Sequence, residues 1–264
     1  MNIRNGSRVD SINVSIREFM CNVYTIMSIG LFITGLVAYV VSENPVVLSA
    51  IYHNSAVSLL VSLAPLVFVF IFSSKIGDMS VPSAQLCFFV FSALMGLSTS
   101  YIFLAYTGAS IAQTFFVTAA TFLSMSLYGY TTKKDLTSFG SFLIMGVIGI
   151  FIASLVNLFV RSSGFSLLLS VLTVFIFTGL TAYDVQRIRY MYSEMDGDEV
   201  NSKKAIFGAL QLYLDFINIF LSLLHLFGDT LFFLFLHLLI GLLSHLIRAQ
   251  CVIFAKSNGC LCLM

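Results

Sequence analysis

Asp215 stands in the middle of an apolar run, Ala205 to Phe227, inside the stretch QLYLDFINIF, with no basic residue near it in sequence. Asp184 sits toward the end of the preceding apolar run, in TAYDVQRI. One ionised carboxylate at the centre of a bilayer costs about 2.5–3.5 kcal/mol on insertion scales. Two carboxylates that face one another can share a single proton, and such a pair titrates as one unit. With the proton shared, the pair holds its two helices together. With both groups ionised as pH rises, like charges repel, and the dianion can bind a hard divalent cation such as Ca²⁺ through oxygen. Asp184 and Asp215 are therefore candidate pH-sensing and gating groups, and candidate Ca²⁺ ligands. The plainer alternative makes Asp215 a protonated donor to Asn218 or a serine, and Asp184 an interfacial residue paired with Arg187 or Arg189.

The elements that must position these residues are membrane helices. Of 264 residues 59% are hydrophobic and 9% charged, against roughly 25% charged in a soluble domain. Net charge is +1, which gives no reason to expect nucleic acid as a partner. A span needs about 20 mostly apolar residues, and seven stretches qualify, near 20–41, 56–74, 83–105, 110–130, 138–160, 165–185 and 205–227. An eighth run near 231–247 is shorter and carries His237 and His245. Strand-length alternation is absent, which argues against a membrane β-barrel. Spans six and seven are antiparallel neighbours, so Asp184 and Asp215 can meet at similar depth if span six dips below the membrane surface.

Basic residues orient the bundle. With the N-terminus in the cytosol, the inside segments hold Arg4, Arg8, Arg17, Lys75, Lys133, Lys134, Arg187, Arg189, Lys203 and Lys204, and the outside segments before the tail hold only Arg161. Ser92, Gly96 and Ser100 make a small-residue stripe on the third span that permits close helix approach. Pro65 lies within the second span, where a proline kinks a helix and frees a backbone carbonyl. Cys21, Cys87, Cys251, Cys260 and Cys262 form neither a CxxC pair nor a zinc-type spacing. No phosphate loop, nucleophile triad or cofactor motif is present, so neither an enzyme nor an ATP-driven pump is expected, and no cofactor.

At these residues the chain resembles a known family. GLTAYDVQRI and GALQLYLDFINIFLSLLHLFGD are similar to the sixth and seventh spans of the bacterial branch of the Bax inhibitor-1 family. REFMCNVYTIMSIGLFITGLVAYV and SVPSAQLCFFVFSALMGLSTSYIF resemble its first and third spans, and the resemblance covers about residues 17 to 229. It implies an all-α polytopic membrane bundle of seven transmembrane helices with the seventh at the centre. It also implies a pH-sensitive Ca²⁺ leak with an aspartate pair matching Asp184 and Asp215. A basic residue at the cytosolic end of the second helix contributes to gating in bacterial members, and Lys75 is the nearest match. Some members carry a glutamate inside that helix, where this chain reads SLAPLVFVF.

The expected organisation is a cytosolic segment 1–19, the seven-helix domain 20–229 and an atypical hydrophobic tail 230–264, whose His237, His245, Cys260 and Cys262, like His225, are read as bystanders. The expected partners are membrane lipid, Ca²⁺, protons and other membrane proteins, and the expected location is a bacterial plasma membrane. Two other functions compete with the leak. An intramembrane aspartyl protease would need a Gly-x-Gly-Asp, which is missing: Asp215 follows LYL, and LFGD has Leu226 where the first glycine belongs. A partner-binding regulator of stress, cell death or membrane protein quality control would use the stretch 186–204, where acidic SEMDGDE lies between basic ends.

Overall fold

The computed structural model describes residues 3–160 and 162–227, and these residues are helices joined by short turns. In chain order they are α1 (Ile3–Ser42), α2 (Pro45–Tyr52), α3 (Ser55–Lys75), α4 (Val81–Thr99), α5 (Ile102–Ala105), α6 (Gly108–Thr131), α7 (Thr137–Val160), α8 (Ser163–Met191) and α9 (Gly197–Phe227). Among the described residues seven stretches are long and apolar enough to cross a membrane, with α4 and α5 together forming the third. The chain is an all-α polytopic membrane bundle. The eighth run, 231–247, and the tail it belongs to lie outside the described residues.

Capping residues mark where each helix starts. Asn44 accepts from Val46 N at 3.2 Å, just ahead of Pro45 at the first turn of α2. Asn54 caps α3 through Ala56 N at 3.0 Å, Thr107 caps α6 through Ser110 N, and Ser162 caps α8 through Phe165 N. Before α7, Asp135 Oδ1 accepts from the Thr137 hydroxyl at 2.6 Å and its amide at 2.9 Å. Those two bonds hold the Asp135 carboxyl below its ordinary value of 3.8, so this exposed cap is intact at neutral pH and is lost only in acid. Pro65 does not end α3, which runs through it from Ser55 to Lys75.

Three features differ from the sequence expectation. The polar residues before position 20 continue α1 rather than preceding it. A short helix, α2, fills the region between the first two spans. The basic and acidic stretch 186–204 is mostly helix: α8 runs on to Met191 and α9 begins at Gly197, leaving residues 192–196 between them. Hydropathy measures how far a helix is immersed in hydrocarbon, and both helices extend beyond that depth with charged residues. Gly197 turns the chain into α9 at φ +71°, in the left-handed region where a side chain is strained.

α9 is the axis of the bundle. Its span is 94% buried, whereas those of the other six are between 22% and 56% buried. The outer surfaces of the surrounding helices carry Phe32, Phe116, Phe142, Phe159 and Phe175, all exposed, as a surface solvated by hydrocarbon requires. With no hydrophobic drive between helices in lipid, close backbone approach and interhelical hydrogen bonds hold them. Ser92, Gly96 and Ser100 are all buried. A Cβ on Gly96 would lie 2.5 Å from Thr34 O of α1, and the Thr34 hydroxyl donates to Ser92 O at 2.9 Å. The Thr34 hydroxyl also meets Tyr213 OH of α9 at 2.7 Å, while the Tyr213 ring packs edge-on against Phe88 and Phe91. α6 and α8 approach closely at Gly129, where a Cβ would stand 2.2 Å from Ala182 O.

A rigid backbone faces Gly129, so Gly129→Ala is expected to force the two helices apart and cost about 1–3 kcal/mol, as overpacking does. Gly35→Ala, with nothing within 4 Å of its Cβ, is expected to be neutral or stabilising, since Ala is the better helix former. Thermal unfolding of the two purified variants in detergent checks the pair, and equal midpoints would contradict the packing assigned to Gly129.

Candidate functional site

Contacts at both ends fix how α8 lies against α9. At one end Lys204 Nζ donates to Met191 O at 2.8 Å. One turn further along α9, a Cβ on Gly208 would sit 2.9 Å from Ile188 Cγ2. At the far end Ser170 Oγ lies 3.0 Å from His225 Nδ1. In this antiparallel register Asp215 is level with Leu180 and Thr181, and Asp184 with Gln211 and Leu212. The aspartates differ in depth by about one turn, ~5 Å at 1.5 Å per residue.

Helical phase brings the two side chains to the shared face. On α9, Lys204, Gly208, Gln211, Asp215, Asn218, Ser222 and His225 recur at alternating intervals of four and three residues, which places them on one stripe. On α8, Ser170, Phe177, Thr181, Asp184 and Ile188 form the matching stripe. The contacts at Lys204, Gly208 and His225 show that the α9 stripe is the one turned toward α8. Side chains lean toward the N-terminus of their own helix. In an antiparallel pair with this offset, Asp184 leans toward the level of Asp215 and Asp215 leans back toward the level of Asp184. Both aspartates are fully buried.

The polar surroundings come mostly from the same stripe. Gln211 is fully buried one turn from Asp215, and among the described residues neither its Oε1 nor its Nε2 has a hydrogen-bond partner. Asn218, also fully buried, donates from Nδ2 to Leu214 O at 2.7 Å, and its Oδ1 has no partner among the described residues. The Thr181 hydroxyl donates to Phe177 O at 2.8 Å. Hydropathy alone singled out the carboxylates and missed Gln211 and Ser222. The signal that finds them is the four-three spacing of the polar residues in an otherwise apolar helix.

One end of the bundle gathers Lys75, Lys133, Lys134, Arg187, Arg189, Lys203 and Lys204. There the Lys204 ammonium pairs with Asp196, and both are largely buried. Gln186 ties down the turn before α7, accepting from Leu136 N at 2.9 Å and donating to Lys134 O at 2.8 Å. Arg189 donates to Tyr130 O at 2.7 Å and lies 5.0 Å from the centroid of the Tyr130 ring. The seam between α8 and α9 is thus closed at its basic end by Lys204, Ile188 and Gly208, below the level of the aspartates.

Residues 16–232 match the family described as inhibitor of apoptosis-promoting Bax1. The chain belongs to the Bax inhibitor-1 family. It is 48% identical over 213 residues to a protein of Borreliella burgdorferi, covering 80% of this chain and 92% of that one. It is 42% identical over 227 residues to the inner membrane protein YbhL of Escherichia coli, covering 84% of this chain and 97% of the relative. A membrane protein of Streptococcus pyogenes is 35% identical over 220 residues, covering 82% of this chain and 94% of its own. The Bax inhibitor-1 domain therefore spans the seven helices.

Within this Bax inhibitor-1 domain Lys75 stands apart from the aspartates. It is exposed at the end of α3. The lysine that reaches the turn after α3 is Lys203, whose Nζ donates to Gly77 O at 3.3 Å. Twelve residues of α9 separate Lys203 from Asp215, a rise of ~18 Å. His225, read from sequence as a bystander, belongs to the stripe through Ser170. His237, His245, Cys260 and Cys262 lie outside the described residues.

A buried amide left without hydrogen bonds costs about 1–3 kcal/mol. Gln211→Leu, nearly the same in shape, is expected to raise the thermal midpoint of the protein in detergent by about 2–4 °C per kcal/mol recovered. A lowered midpoint would mean that the Gln211 amide is satisfied in the folded protein.

Proposed function

We propose that this protein is a proton-controlled Ca²⁺ leak, with Asp184 and Asp215 as its gate. The observation that carries the reading is the convergence of two fully buried carboxylates from facing helices within one turn of each other. When the pair shares a proton, one oxygen of Asp184 is bonded to one oxygen of Asp215 and the α8–α9 seam stays closed. When pH rises and the second proton leaves, two anions face one another in a medium of low dielectric, which pushes the helices apart. The same dianion attracts a divalent cation, so the state that opens the seam is also the state that receives Ca²⁺. Flux should therefore be low in acid and rise with pH.

The basic end faces the cytosol on this reading, which follows the distribution of lysine and arginine. The surrounding membrane is the bacterial plasma membrane, in keeping with the inner membrane relative of Escherichia coli. The Lys204–Asp196 pair then forms part of the cytosolic closure. Lys75 then stands at the cytosolic mouth, beside the turn that Lys203 engages. No enzymatic step is assigned, because the polar residues of the seam are suited to holding a proton or a cation rather than to activating a nucleophile.

A second reading, a partner-binding regulator, is favoured by one feature. Met195 is 95% exposed at the acidic turn between α8 and α9. An exposed apolar side chain among acidic residues is a surface that a membrane partner could cover.

Ca²⁺ flux into liposomes holding the purified protein, measured from pH 5 to 8, distinguishes the two. The wild type is expected to conduct more as pH rises, and Asp184→Asn and Asp215→Asn are each expected to abolish that dependence. Flux no greater than that of empty liposomes at every pH would overturn the leak and leave the regulator.

A further inference from the structure

Two carboxylates do not make a Ca²⁺ site by themselves. Ca²⁺ takes six to eight oxygen ligands, drawn freely from carboxylates, amide carbonyls and water, whereas Mg²⁺ demands octahedral geometry and gives up its waters reluctantly. Among the described residues no cluster of three or more His, Cys, Asp or Glu side chains exists. Any further protein oxygens beside Asp184 and Asp215 must therefore come from neutral groups, and the α8–α9 seam holds two in suitable positions.

Gln211 and Asn218 bracket Asp215, one turn to either side on the stripe that faces α8. Both are fully buried. The Asn218 amide is oriented by its bond to Leu214 O, which leaves Oδ1 as the end presented away from its own backbone. Gln211 lies level with Asp184 and carries an amide with no hydrogen-bond partner among the described residues. A folded protein tolerates such a group where function requires it. We propose that Gln211 Oε1 and Asn218 Oδ1 are specificity-determining ligands that supply neutral oxygen at two successive positions of Ca²⁺ along the seam, Asn218 at the level of Asp215 and Gln211 at the level of Asp184, and select it over Mg²⁺. This rests on the leak reading above and extends it to selectivity.

The geometry gives each residue a distinct place. Gln211 is on the side of the closed basic end and beside Asp184, so it holds the ion at the inner step. Asn218 is one turn toward the opposite end, so it meets the ion before Asp215 does. Neutral oxygens add coordination without adding negative charge, which favours a cation that accepts many ligands over one that prefers to keep its water.

The test is equilibrium binding of radioactive Ca²⁺ to the purified full-length protein in detergent at pH 8, with Mg²⁺ as competitor. Flux is not needed as a readout. The wild type is expected to bind Ca²⁺ saturably and to resist a large excess of Mg²⁺. Gln211→Leu and Asn218→Leu are each expected to weaken Ca²⁺ at least tenfold while leaving Mg²⁺ competition strength nearly unchanged, so the preference narrows. Gln211→Glu is expected to strengthen both ions. Thermal midpoints at or above the wild-type value for Gln211→Leu separate loss of a ligand from loss of fold, and Gln211→Met serves in its place if that variant is unstable. Binding lost in Asp215→Asn but unchanged in both Leu variants would overturn the amide ligands and leave the aspartate gate standing. Equal losses for Ca²⁺ and Mg²⁺ would overturn the selectivity role. No saturable binding by the wild type, or wild-type binding in Asp215→Asn, would overturn this inference and the Ca²⁺ reading beneath it.

Discussion

Two carboxylates enclosed between α8 and α9 are the costliest feature of this bundle, and the packing around them is arranged to make that cost bearable. Neither aspartate reaches water. A group of this kind is stable in hydrocarbon only if it holds a proton or meets a compensating charge. The antiparallel register supplies the first solution geometrically. Each side chain leans along its own helix toward the other, so one proton can serve two acids.

That arrangement depends on α9 being enclosed on all sides. Tyr213, on the face opposite the polar stripe, anchors α9 to α1 and α4 through Thr34, Phe88 and Phe91. Phe216 packs against Phe115 and Phe122 of α6. α8 is in turn held against α6 by the contact at Gly129 and against α7, where Gly140 meets the ring of Tyr183. A shift in α8 would therefore disturb Gly129 and Gly140 as well as the aspartates. On the proposed reading, opening the seam moves packed helices past these backbone contacts, driven by repulsion between two ionised acids in a low dielectric.

The spans were legible in the sequence because each is a continuous apolar run of sufficient length. The acids stood out for the same reason, as exceptions within those runs. The helix ends were not legible, since Arg187, Arg189, Lys203 and Lys204 read as loop by hydropathy yet lie on α8 and α9. Helix α2 escaped notice because eight residues are too few to register as a span. That Asp184 and Asp215 share a face about one turn apart in depth could be suspected from topology but not placed, because register is set by tertiary contacts such as Gly208 on Ile188. Lys75 rests on the family resemblance alone, as the nearest match to a basic residue at the cytosolic end of the second helix, and the turn beyond it is also met from α9 by Lys203. Gln211 was hidden by its ordinary polarity, although its spacing from Lys204, Asp215 and Asn218 places all four on one face.

On the proposed reading Asp184 and Asp215 hold one proton between them. Infrared difference spectroscopy of the protein in lipid, recorded as pH is varied, reads the protonated carboxyl stretch directly. The expected result is a single carboxyl band that disappears as pH rises and is altered by either Asp184→Asn or Asp215→Asn, because each acid would be half of one shared site. A band that one substitution removes and the other leaves untouched would contradict it, since the proton would then belong to one aspartate alone.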